Sequence, residues 1–77
     1  MKSKNFFENE LIKIFKKELK IKVSSKSRIY DHENWDSLGN FNILLSVEKH
    51  FKIKFSSREF NKLKSFKEIL EIVKKRN

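Results

Sequence analysis

A chain of 77 residues without a cysteine has to fold on apolar packing alone, and that constrains it more than any other feature. A core in so short a chain supplies only a few kcal/mol, roughly 3–5, and natural domains of this size commonly add disulfides or a structural metal. Disulfides are impossible here, and His32 and His50 lack the thiolate or imidazole neighbours of a zinc site. The core must come from eight Phe, one Trp and the many Ile and Leu, which are bulky enough to serve. A single domain over residues 1–77 is expected. No apolar run approaches the ~20 residues of a membrane-spanning helix, and the lysine-rich N-terminus leads into no signal-peptide segment. A soluble, cytoplasmic protein with no membrane span is the expectation.

Over most of the chain the apolar residues recur at helical spacing. From Asn5 to about Lys20, Phe7, Leu11, Ile12, Ile14, Phe15 and Leu19 share one broad face, with Asn5 and Glu8 spaced as a cap and its reciprocal partner. A second helix is expected from Asp36 to about His50. Its apolar residues, Leu38, Phe41, Ile43, Leu44, Leu45 and Val47, cover a wider arc than a surface helix needs, which predicts packing on more than one side. Ser56 with Glu59, and Ser65 with Glu68, repeat the Ser-x-x-Glu start signal. They predict a short helix near 57–62 and a last one over about 65–75 that buries Phe66, Ile69, Leu70 and Val73.

Two segments echo each other, LKIKVSS at 19–25 and FKIKFSS at 51–57, both alternating apolar residues with lysine. Alternation at period two is a strand signal, so a paired α+β arrangement is an alternative. Both segments are short and run straight into a serine pair, which favours helix exits whose Ile21, Val23, Ile53 and Phe55 tuck under the bundle.

Some sixteen residues, Ile21 to Asp36, join the first two helices. Unstructured loops beyond roughly 12–15 residues are uncommon in compact domains and are often functional. This one closes on ENWDSLGN, residues 33–40, where two acids, the only tryptophan, a serine and the only glycine are crowded together. Asp36 is suited to cap the second helix, which sets Ser37 in its first turn, hydroxyl outside the core and near the positive end of the helix dipole. A phosphate ester on that oxygen would be stabilised there.

At this point the residues meet a family. WDSLGNFNILLSVEKHFKIKF, followed by LKSFKEILEIV, resembles the acyl carrier proteins, with Asp36-Ser37-Leu38 at the start of the second helix and Glu48, Phe51, Ile53, Leu63 and Ser65 at the expected spacings. The resemblance covers about residues 5–75. It implies an all-α, four-helix bundle of acyl-carrier type, with three longer helices, one short helix and a long loop between the first two. It also implies a covalent 4′-phosphopantetheine arm on Ser37, transferred from coenzyme A by a phosphopantetheinyl transferase. Asp36 would cap the helix and help that transferase hold magnesium, and Leu38 would be an apolar contact for partner enzymes. The implied partners are acyl- or aminoacyl-activating and transferring enzymes, in fatty acid, polysaccharide or secondary-metabolite biosynthesis, served by a monomeric phosphoprotein with no catalytic residues of its own. A chain without cysteine cannot form a thioester, so the thiol must come with the arm. A tether then raises the effective concentration of the acyl group at each enzyme it visits.

The charge departs from that family, whose members are typically acidic. Nineteen basic against ten acidic residues give +9. So basic a small domain suggests a second reading, a helical module for nucleic acid or an anionic membrane surface. Only Arg28, Arg58 and Arg76 are arginines, the residue suited to bidentate phosphate contacts, so no specific nucleic-acid partner is expected. Glu48 is the single acid between Leu38 and Phe51, whereas Asp31, Glu33 and Asp36 gather just before Ser37. Partner recognition is accordingly expected to involve Asp31, Glu33, Trp35, Asp36, Leu38, Phe41 and Glu48, shifted toward the loop, with Trp35 favoured to pin the loop to the bundle and partner contact its alternative. A Ser37 triad with Asp36 and His32 or His50 is set aside, because a helical chain with one glycine has little means to build an oxyanion hole. Asp31, His32 and Glu33 are too close in sequence to converge readily on a metal ion.

Overall fold

The computed structural model describes residues 6–76, which are all-helical with no strand among them. Helix α1 spans Phe6–Leu19, α2 Ser37–Phe51, α3 Ser57–Lys62 and α4 Phe66–Arg76. The boundaries predicted from spacing hold to within a residue; the proposed cap at Asn5 lies outside the described residues.

Helix α1 packs against α2 and α4, burying Leu11, Ile14, Phe15 and Leu19, while α4 buries the expected Phe66, Ile69, Leu70 and Val73. Both sets recur every three or four residues, so a straight helix brings each to one side. At the centre the Phe15 ring lies 4.7 Å from Trp35, edge to face, and 5.8 Å from Phe66. Loop, α1 and α4 therefore meet in one aromatic cluster.

Packing of α2 on more than one side needs correction. Gly39, Asn40, Ile43, Leu44, Val47 and Phe51 are buried, but Leu38, Phe41 and Leu45 are 69%, 47% and 38% exposed. The reason is the length of α3. At six residues it reaches that flank of α2 at Phe41, whose ring lies 5.2 Å from Phe60, and leaves Leu38 and Leu45 open.

The echoed segments are one helix exit used twice. Lys20 (φ 58°) and Lys52 (φ 57°) take the left-handed conformation that ends a helix, donating N–H to Lys16 O and Glu48 O. A short segment without regular structure follows each, in which Val23 and Phe55 are buried and Ile21 and Ile53 half-buried. The segments do not pair as strands. Among the described residues the isolated bridge is Arg28 with Ser65, where Ile29 N–H donates to Lys64 O (2.8 Å) and Phe66 N–H to Ser27 O (3.0 Å).

That bridge staples the long loop to the connection between α3 and α4. At the loop's other end Asn34 Nδ2 donates to Leu19 O at 3.1 Å, and Trp35 is fully buried. Ser56 and Glu59 close the predicted capping box on α3. The Arg76 guanidinium grips both Glu59 carboxylate oxygens and Lys54 O (2.7 Å), tying the end of α4 to the start of α3. Glu59 is held below the usual carboxylate range, first by Arg76 and then by Ser56 N–H.

Candidate functional site

The start of α2 is built by the last residues of the loop. Asp36, with extended backbone, is the cap: its Oδ1 accepts the Gly39 N–H at 2.8 Å and its carbonyl the Asn40 N–H at 2.8 Å. Ser37 is then the first helical residue, and it is exposed. The amides of a first helical turn and the helix dipole make that position favourable for an anion.

Gly39 is what lets the loop lie across this turn. A Cβ there would stand 2.3 Å from the Asn34 carbonyl oxygen and 3.3 Å from Leu19 Cδ2, so no other residue allows so close a backbone approach. One turn in, buried Asn40 accepts Trp35 Nε1–H at 3.0 Å and donates to Leu63 O at 2.8 Å. It joins the loop, α2 and the end of α3 through a fully satisfied polar contact.

Sequence reasoning missed Tyr30. Its hydroxyl lies 2.8 Å from Ser37 Oγ; the residue is 67% exposed and its backbone stands at φ 74°. Its N–H donates to Trp35 O at 2.7 Å, closing the reverse turn that carries the acids. Beside Ser37 opens a cleft of about 380 Å³ lined by Ile29, Asn40, Phe41, Phe60, Asn61 and Lys64 among others. Its walls mix apolar and polar side chains, and Ser37 is part of its lining.

The residues expected to meet partners fall into three groups. Leu38 and Phe41 stand exposed on α2, as does Glu33 in the loop. Asp31, Asp36 and Glu48 each lend a carboxylate oxygen to a backbone N–H: Asp31 to Arg28 (3.0 Å), Asp36 to Gly39, and Glu48 to Phe55 (2.7 Å). Glu48 thus holds the turn after α2. Trp35, at 0% exposure, edge to face with Phe15 and bonded to Asn40, pins the loop to the core; its place among the partner-contact residues is corrected, because it offers no surface.

Farther along α2, His50 Nε2 lies 2.8 Å from Glu10 Oε1 and couples α2 to α1. That contact, then Lys13, keeps the Glu10 carboxyl below its usual range. Of the three arginines, Arg76 is engaged by Glu59. Among the described residues no helix is long and apolar enough to cross a membrane, and no three His, Asp or Glu side chains are grouped to hold a metal ion. No family model, curated protein or solved structure matches this chain.

Proposed function

We propose that this protein is a carrier of acyl-carrier type, which bears an acyl or aminoacyl thioester on a 4′-phosphopantetheine arm attached to Ser37. The observation that carries the reading is the setting of Ser37: an exposed hydroxyl on the first turn of a fifteen-residue helix, behind an Asp cap and beside an open cleft. The residues fit the group. An anionic linkage at Ser37 gains from the first-turn amides and the dipole, and the cleft edged by Ile29, Phe41 and Phe60 gives the root of an arm an apolar wall with Asn61 and Lys64 at its polar side. The arm would supply the thiol that a chain without cysteine lacks.

The chain's own part is to present and to tether. Asp36 fixes the first turn, Asn40 and Trp35 hold the loop that frames it, and Leu38 and Phe41 offer apolar contact next to the attachment point. Its partners in this reading are a phosphopantetheinyl transferase and cytoplasmic enzymes that load and unload the arm. Intact mass spectrometry after incubation with coenzyme A and a transferase tests it. The wild type should gain one phosphopantetheinyl group and Ser37→Ala none. Modification at another serine, or none with several transferases, would end the carrier reading.

A further inference from the structure

We infer that Tyr30 is the positioning residue of the Ser37 linkage: its phenol holds the serine hydroxyl before modification and donates to the phosphodiester afterwards, fixing the direction in which the arm leaves the protein. The inference rests on the carrier reading and adds a residue to it. Two independent features point to Tyr30.

The first is its backbone. A left-handed φ of 74° suits glycine or asparagine, and for a bulky aromatic residue it is an outlier that the surroundings must enforce. They do so on both sides. Ile29 N–H is bound to Lys64 O, Arg28 N–H to Asp31 Oδ2, Asp31 N–H to Arg28 O, and Tyr30 N–H to Trp35 O. Burial does not explain a tyrosine at such a position, because the residue is 67% exposed.

The second is where the backbone sends the side chain: its hydroxyl comes to 2.8 Å from Ser37 Oγ. In the unmodified protein either oxygen can donate. Modification removes that freedom. Ser37 Oγ bonds to the phosphorus of the pantetheine phosphate in coenzyme A, the pyrophosphate P–O bond breaks, 3′,5′-ADP leaves with the bridging oxygen, and the serine proton passes to solvent. The linkage then has only acceptors, so the phenol O–H must donate to it. A hydrogen bond to an anionic oxygen is about twice as strong as a neutral one. Tyr30 is therefore better bound after modification than before, and it restrains the first torsions of the arm.

The chain has one tyrosine, so a single ¹³Cζ resonance reports it at neutral pH. Wild type and Tyr30→Phe are each treated with coenzyme A and a transferase, then followed by mass, ¹³Cζ and ³¹P spectra. The ¹³Cζ line should shift when the wild type is modified, and the ³¹P resonance of Tyr30→Phe should differ from wild type and relax as a more mobile group. The rate of modification should fall about two- to tenfold through kcat with KM little changed, as one lost hydrogen bond allows. A packing role would move none of the ³¹P readouts. If the wild type gains no mass, the carrier reading and this inference fall together. If it gains the arm while ¹³Cζ stays fixed, and the ³¹P signal and rate of Tyr30→Phe match the wild type, this inference alone is overturned.

Discussion

Replacing Gly39 with alanine sets two effects of opposite sign against each other. Gly39 lies inside α2, where alanine is favoured over glycine by about 1 kcal/mol, so propensity alone makes Gly39→Ala stabilising. Packing opposes it. The new Cβ would sit 2.3 Å from Asn34 O, and ordinary contact begins near 3.4 Å, so the loop would have to retreat by about 1 Å. Backbone cannot swing aside as a flexible side chain would. Overpacking of this kind costs about 1–3 kcal/mol. Retreat also draws Asn34 Nδ2 away from Leu19 O, a hydrogen bond of 3.1 Å worth about 1 kcal/mol. The net expectation is a loss of about 1–3 kcal/mol, a fall in Tm of roughly 5–20 °C for a domain of this size. Thermal and urea unfolding, followed by circular dichroism and Trp35 fluorescence, would measure it. Asn42→Ala, exposed on the same helix, isolates propensity and should gain a few tenths of a kcal/mol. A Gly39→Ala protein as stable as Asn42→Ala would refute the close-approach argument.

Asn40→Leu should lower stability by about 2 kcal/mol or more in urea unfolding, because it leaves Trp35 Nε1–H and Leu63 O buried without their partner; an unchanged midpoint would mean that neither group needs it. Stability should also fall in acid: Glu59 and Glu10 have folded values below their ordinary 4.5, so their contribution is present above about pH 4.5 and is lost as pH drops through the lower folded values. Arg76→Gln removes the main cause of the Glu59 shift and should flatten the acid limb of urea midpoint against pH between about 5 and 3, whereas an identical slope would show the pair to be inert.

What could be read from the sequence was local. Apolar residues at period 3.6 and the Ser-x-x-Glu pairs fix helix ends within a few residues of chain, and those ends were found. The burial around α2 depends on how far α3 reaches, which spacing along α2 does not encode: spacing alone places Leu38 and Leu45 in the packed arc, whereas both lie outside it, Leu38 as the family resemblance implies. Left-handed positions are normally announced by glycine or asparagine, yet here they fall on Lys20, Tyr30 and Lys52, which gave no such signal. Tyr30 therefore went unnoticed although it is the one tyrosine in a long loop. Asn40 did leave a trace: it falls in register with Ile43, Leu44 and Val47 on the buried stripe, where a polar residue must find partners.

The charge pattern on α2 can be understood without a phosphate-rich partner. Asp36 at the head of the helix and Lys49 and Lys52 at its tail are of the signs that favour the two ends of a helix dipole. Lys49, Lys52 and Lys54 border a separate cleft of about 460 Å³ with Leu45 and Ile53, roughly 20 Å along the helix from Ser37 at 1.5 Å per residue. That distance exceeds the Debye length of about 8 Å at physiological salt, so the lysines act little on an event at the serine. In the carrier reading an enzyme working at Ser37 would meet a different surface: Glu33 and the loop acids, the Tyr30 side chain, Leu38 and Phe41 on the helix, and Lys64 lining the cleft. Asp31 and Asp36 serve the backbone there as well as the field, so their replacement would alter folding together with recognition, whereas Glu33, Leu38 and Phe41 are exposed. In the same carrier reading, selection for a partner at the serine acts on those three while Lys49, Lys52 and Lys54 vary independently, so the residues just ahead of Ser37 are acidic and apolar although Lys64 borders the cleft beside it.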